Sequence, residues 1–257
     1  MPHPITLRGR PLAGGRLPAV CAPLVARTRA ALAEEAVAVA ALQPDLLEWR
    51  VDFFEGIADT TSVLAAARTV HEAARGIPVL FTRRAQREGG QAIPLSEPQV
   101  LALYEAVAAS GTVAAMDYEM AHEPALVQRA RALTRRHGLA LVLSFHDFQR
   151  TPDDAQLDAR FAQAAQLQAD VAKVAVMPQA MADVHRLLGA TLRASESLPI
   201  PVVAMSMGAL GAVTRLCGGA YGSALTFAVG STASAPGQIA IADVRAALAV
   251  LQRATAA

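Results

Sequence analysis

The chain has 257 residues, 53% of them apolar, and 23 lysines and arginines against 22 acids, for a formal net charge of +1. Charge this balanced argues against a nucleic-acid or acidic-lipid surface, and no apolar stretch reaches membrane-spanning length. Two cysteines, Cys21 and Cys217, lack metal-ligand spacing, and residues 1–8 lack a signal-peptide core, so a reduced cytoplasmic setting is expected.

Along the chain, short apolar or β-branched runs alternate with Ala/Leu/Arg/Glu-rich stretches. Strands are predicted to begin near Leu17, Leu46, Pro78, Thr112, Leu139, Val171, Pro201 and Ala224. Helices are predicted between them at 28–42, 61–75, 97–110, 121–137, 152–167, 181–194 and 209–216, with a last one at 241–254. Pro124 and Pro152 fall near helix starts, and Gly76, Gly111 and Gly138 fall at helix ends. Eight such alternations with no long linker predict an α/β fold, a (β/α)₈ TIM barrel forming one domain over 1–257. Roughly the first sixteen residues are expected to be an extension or short hairpin closing the barrel bottom. A doubly wound open sheet is the alternative, but no G-x-G-x-x-G follows an early strand.

A barrel gathers its chemistry at the C-terminal ends of its strands. Polar residues stand at those ends here. Strand two closes with Glu48, Arg50 and Asp52, which share one face by period-two alternation. Strand three runs into Arg83, Arg84, Glu88 and the paired Gly89-Gly90. Strand four supplies Asp117 and Glu119, whose carboxylates could orient Arg50 or a histidine. His146 ends strand five, one βα unit before Lys173, and is suited to proton transfer near neutral pH. Lys173 is the only lysine in the chain. In an otherwise apolar strand and against a strong arginine bias, it points to amine chemistry, because a desolvated lysine can shed its proton and attack a carbonyl. The alternative is a lysine whose head reaches water at the strand end. Met205 and Met207 would wall the mouth with apolar surface that helps neutralise the lysine. Arg215 offers a planar fork for a carboxylate. The small-residue loop holding Ser234, Ala235 and Gln238 could close over a ligand.

Together these segments resemble type I 3-dehydroquinate dehydratase, the Schiff-base dehydratase of the shikimate pathway of aromatic amino acid biosynthesis. The resemblance rests on Glu48-Trp49-Arg50-Val51-Asp52, Phe81-Thr82 through Glu88-Gly89-Gly90, and Asp117-Tyr118-Glu119. It continues through Ser144-Phe145-His146-Asp147-Phe148, Lys173, Met205-Ser206-Met207-Gly208 with Arg215, and Ser234-Ala235-Pro236-Gly237-Gln238. It implies dehydration of 3-dehydroquinate to 3-dehydroshikimate. Lys173 would form the imine and His146 would serve as general acid and base, with Glu119 orienting His146. Glu48, Arg50, Arg84, Glu88, Met205, Met207, Arg215, Phe227, Ser234, Ala235 and Gln238 would bind substrate. No metal or organic cofactor, no nucleic acid and no membrane are expected, and a homodimer is implied. The register puts Arg84 rather than Arg83 toward the ligand. A Schiff-base aldolase on the same barrel, or a barrel that only binds quinate-like acids, are the rival readings.

Overall fold

The computed structural model describes residues 3–12 and 17–255. It is an α/β barrel. A hairpin of β1 (Thr6–Leu7) and β2 (Arg10–Pro11) precedes eight parallel barrel strands. These are β3 (Ala19–Leu24), β4 (Leu46–Arg50), β5 (Val79–Thr82), β6 (Ala115–Glu119), β7 (Ala140–Asp147), β8 (Val171–Val176), β9 (Val202–Ser206) and β10 (Leu225–Val229). Helices follow them in turn: α1 (Arg29–Ala41), α2 (Thr60–Ala73), α3 (Glu97–Ala109), α4 (Pro124–Arg136), α5 (Asp154–Gln166), α6 (Met181–Ser197), α7 (Gly208–Cys217) and α8 (Ile241–Thr255). A two-residue strand, β11 (Ile239–Ala240), pairs with β10. Residues 13–16, within the predicted N-terminal extension, lie outside the described ones.

The ladder runs without a break from β10 through β3 to β9. The circle is completed more sparsely between β9 and β10, by a bridge between Val202 and Ser223. There the Ala224 N–H donates to the Val202 carbonyl (2.8 Å), and the Ala204 N–H donates to Ser223 Oγ (3.1 Å). The doubly wound alternative is thereby excluded, since its edge strands would stay apart.

Apart from the ends of β7 and β10, the barrel strands are buried on both faces, so the period-two alternation appears in the chemistry and not in the exposure. On β4, Leu47 and Trp49 pack outward in the layer beneath the helices, whereas Leu46 joins an inner cluster with Cys21, Leu80, Ala115, Val142, Val171, Val203 and Leu225. Ile5 and Leu7 of the hairpin belong to the inner cluster too, at the end where the strands begin. The outer layer holds a chain of edge-to-face aromatic pairs, Trp49–Phe81 (5.5 Å), Phe81–Tyr104 (5.1 Å) and Tyr104–Tyr118 (6.0 Å). Each contributes about 0.5–1.5 kcal/mol beyond its buried area. They fix β4, β5 and β6 laterally, and these strands carry much of the charge inside the barrel.

Helix starts follow from capping. Thr28, Asp59 and Asp153 accept backbone N–H bonds from Ala31, Thr61 and Gln156, and Pro124 occupies the first turn of α4. Gly76, Gly111 and Gly138 take positive φ just past helix ends, as a C-terminal cap requires.

Candidate active site

The C-terminal ends of the strands enclose a cleft, and Lys173 opens onto it from the middle of β8. Its Nζ lies 3.1 Å from Asp117 Oδ2, 3.5 Å from Glu48 Oε1, and 4.4 Å from the centre of the Phe227 ring. The expectation of an apolar mouth is therefore corrected. Met205, Met207 and Phe227 do line the cleft, but the lysine head rests between two carboxylates. Those carboxylates come from β4 and β6, which turn Glu48 and Asp117 to the same interior as the lysine.

His146 stands on β7 opposite Ala175 of β8, within the same cleft. Its Nδ1 is 2.9 Å from Glu88 Oε2, and its backbone N–H donates to that same oxygen at 3.0 Å. Glu88 thus orients His146, and the assignment of that task to Glu119 is corrected. Glu119 is fully buried behind the cleft, where it accepts from Arg84 Nη1 (3.1 Å) and the Ala85 N–H (2.7 Å) and pairs with His122 Nε2 (2.8 Å). Nor do Asp117 and Glu119 orient Arg50. That guanidinium is held in a fork by Asp52, with two bonds of 2.8 Å. Asp52 lies in the tight turn directly after β4, so the pairing is local.

The adjacent arginines separate as the register predicts. Arg84 lines the cleft, its guanidinium held by Asp117 (2.8 Å), Glu119 (3.1 Å) and Ser144 (2.7 Å). Arg83 points the other way and grips both oxygens of Glu97 at the start of α3. From sequence, Asp117 is expected only to orient Arg50 or a histidine, and Ser144 has no role, yet both touch the site. Strand register shows why, since Asp117 lies beside Thr82, and Ser144 lies beside both Glu119 and Lys173.

Arg215, at the far side, donates to the carbonyls of Phe227 (3.2 Å) and Pro236 (3.1 Å). It is 2% exposed. Unlike Arg50, Arg83 and Arg84, it has no carboxylate partner among the described residues. Burial without a counter-charge lowers its pKa to about 10. Ser234, Ala235 and Gln238 line the cleft from the loop after β10. That loop is fastened: Gln238 accepts from the Ser234 N–H (2.9 Å), and Arg50 donates to the Ser234 carbonyl (3.5 Å). Gly237 has a positive φ, and a side chain there would meet the Gly208 carbonyl at 2.3 Å.

The electrostatics set distinct protonation states side by side. Burial, reinforced by Arg84 and Lys173, pushes His146 well below the usual histidine range, so its imidazole is neutral near pH 7. Burial would raise Asp117, but Arg84 and Lys173 outweigh it and hold the carboxylate well below its usual range. Glu88 goes the other way. Burial, only partly opposed by Arg84, raises it to about 8.

The shift on Glu88 has a consequence for stability. Between the unfolded value near 4.5 and about 8, the folded state binds the extra proton, so this group costs stability progressively as pH rises through that window. Replacing Glu88 with glutamine should remove that cost. Relative to wild type, E88Q should gain on the order of a few kcal/mol at pH 9 and little at pH 5. Urea unfolding at the two pH values measures the difference; an equal effect at both would mean the carboxyl ionises normally in the fold.

The family model for type I 3-dehydroquinase matches residues 20–255. The chain belongs to that family. The 3-dehydroquinate dehydratase of Albidiferax ferrireducens is 51% identical over 251 residues, covering 98% of this chain and 95% of the relative. That of Aromatoleum aromaticum is 48% identical over 253 residues, covering 98% and 97%. The crystal structure of the Geobacillus kaustophilus enzyme superposes with a TM-score of 0.95 at 47% identity, covering 98% of this chain and 97% of that one. The type I enzyme of Clostridium difficile, crystallised with covalently modified comenic acid, gives 0.93 at 30% identity, covering 99% and 100%. This type I 3-dehydroquinase is accordingly a hydro-lyase acting on 3-dehydroquinate.

Proposed function

We propose that the dehydration proceeds through an imine on Lys173, with His146 as general acid and base, to give 3-dehydroshikimate. One observation carries the reading: the sole lysine of the chain opens onto the same cleft as a partly buried, neutral imidazole. The attacking nitrogen is the free amine, and the proton it sheds is within reach of Glu48, 3.5 Å from Nζ. The amine adds to the ring ketone, the proton it shed returns to the carbinolamine hydroxyl, and loss of that hydroxyl as water gives a protonated imine. That cation acidifies the neighbouring C–H. His146 removes this proton, and the electron pair moves toward the imine nitrogen as an enamine. The enamine then expels the β-hydroxyl, which takes a proton from His146 and leaves as water. Hydrolysis of the imine releases product and restores the amine. Covalent catalysis thus divides one hard elimination into easier steps.

The remaining side chains suit a carboxylated polyol. Arg215 offers the substrate carboxylate a guanidinium that has no carboxylate partner among the described residues, and Glu48, Arg84 and Gln238 offer polar partners for the substrate hydroxyls. The covalently modified comenic acid of the Clostridium difficile relative is consistent with covalent chemistry in a type I enzyme. Our reading includes a place in the shikimate route to aromatic amino acids, in the cytoplasm and as a homodimer; the two free cysteines accord with that compartment. The test is borohydride added with 3-dehydroquinate, which should leave a reduced substrate adduct on Lys173, located by peptide mass. Unmodified Lys173 during active turnover would refute the imine.

Arg215 supplies a separate test. Replacing it with methionine keeps the apolar bulk and removes the fork. KM should rise about 10- to 100-fold, the size expected from losing a charge-assisted pair, with a smaller change in kcat. Steady-state kinetics followed by ultraviolet absorbance of the enone acid decide it, and an unchanged KM would move the carboxylate elsewhere.

A further inference from the structure

Behind the cleft, a row of contacts leads from the buried His122 to the imidazole of His146. His122, in the loop after β6, lies flat against Tyr118, with ring centres 4.7 Å apart. Its Nε2 is 2.8 Å from Glu119 Oε2. The other oxygen of Glu119 accepts the Ala85 N–H at 2.7 Å. The Ala85 carbonyl in turn accepts the N–H groups of Glu88 (2.9 Å) and Gly90 (3.0 Å), closing the tight turn at Gln86–Glu88. Glu88 reaches His146 from that turn. Ala85 is therefore a pivot, fixed on its N–H side by Glu119 and holding on its carbonyl side the turn that carries Glu88. There is little slack, since a side chain at Gly90 would fall 1.9 Å from the Arg84 carbonyl.

The outer end is also built. Glu97 at the start of α3 lies 3.5 Å from His122 Nε2, takes both bonds from Arg83, and accepts from the Tyr118 hydroxyl at 3.2 Å. His122 is 9% exposed and Glu119 fully buried. Burial would raise the Glu119 pKa, but the His122 bond, then Arg84 and Arg83, bring it down to about 2. Glu119 is thus a fixed anion, and its second oxygen has His122 as its close partner, Arg83 standing off at 3.7 Å.

We propose that His122 is a positioning residue for the dehydration, holding Glu119 and, through Ala85 and its turn, the placement of Glu88 on His146. The inference rests on the reading of His146 as general acid and base. A catalytic group misplaced by about 1 Å costs on the order of 10²-fold in rate, so a small relaxation at Glu119 is enough to be read.

Phenylalanine at 122 keeps the stack on Tyr118 and removes the donor. H122F should lower kcat about 10- to 100-fold with KM within about 3-fold, and borohydride should trap the substrate imine to the wild-type extent. Glutamine places an amide nitrogen near the position of Nε2, so H122Q should recover kcat to within about 3-fold. A wild-type kcat in H122F overturns the proposal. So does a loss in which KM rises in step, or one that glutamine does not rescue, since these mark a general structural defect. If H122F does not fold, H122N decides, because its amide falls short of Glu119: it must show the kcat loss, and a wild-type rate overturns the proposal. H146A separates the two readings. Normal turnover in H146A overturns the underlying mechanism and this inference with it, whereas an inactive H146A beside a fully active H122F overturns this inference alone.

Discussion

Replacing Lys173 with alanine should reduce kcat by about 10⁵- to 10⁶-fold, the scale seen when a covalent nucleophile is removed, and should abolish borohydride trapping. Alanine also removes a cation that lies against Asp117 and Glu48 with its side chain 5% exposed. Breaking a buried pair from one side costs about 3–5 kcal/mol, so this variant alone confuses lost chemistry with lost stability. Arginine separates them. K173R retains a positive charge for the two carboxylates but stays protonated at any accessible pH, so it can neither add to a ketone nor form the electron sink. K173R should match wild type in circular dichroism more closely than K173A, yet be as inactive. Turnover in K173R within tenfold of wild type would remove the imine from the mechanism.

The barrel is legible because its cause is local and repeated. Each βα unit announces itself by a change of hydrophobic period, and positive-φ glycines end the helices where they are expected. The strand-end charges are legible too, since alternation sends Glu48 and Arg50 to one face and continues past β5 to separate Arg83 from Arg84. What alternation cannot give is which charges meet across the barrel. That is fixed by register between strands far apart in sequence, such as Asp117 of β6 with Lys173 of β8, 56 residues on. The lysine therefore looks apolar in its own strand and is ion-paired in the fold.

The Glu119 error has the same origin with a loop added. Both Glu88 and Glu119 are acids that a barrel brings near His146, and strand order makes Glu119, on the neighbouring β6, the natural partner. The turn at Gln86–Glu88 curls back over the ends of the strands and puts Glu88 there first. Glu119 is drawn away by the N–H of Ala85 and by His122, bonds that depend on a backbone path with no hydrophobic period to announce it. The pairing of Arg50 with Asp52 is similar, because the chain leaves strand geometry at Val51 and the shared strand face becomes a tight turn.

Removing the imidazole should dissect the reaction at its second step. H146A should lower kcat about 10²- to 10⁴-fold, the range for a positioned proton-transfer group. Imine formation survives in it, because Lys173 and its carboxylates are untouched, so borohydride should still trap substrate on the lysine while turnover collapses. The wild-type pH profile carries the complementary signature. Burial, Arg84 and Lys173 depress the His146 pKa, so the ring stays a free base to well below its ordinary value of 6.5. Protonation removes the base, so the acid limb of kcat/KM, which reports the free enzyme, should fall only as pH drops through that depressed value. Moving a cation away raises the pKa again. In R84Q the ring loses its strongest positive neighbour, and the acid limb should shift to higher pH, toward 6.5. A limb that stays in place in R84Q, or one already near 6.5 in wild type, would show that another group accepts the proton. Near-normal turnover in H146A would say the same.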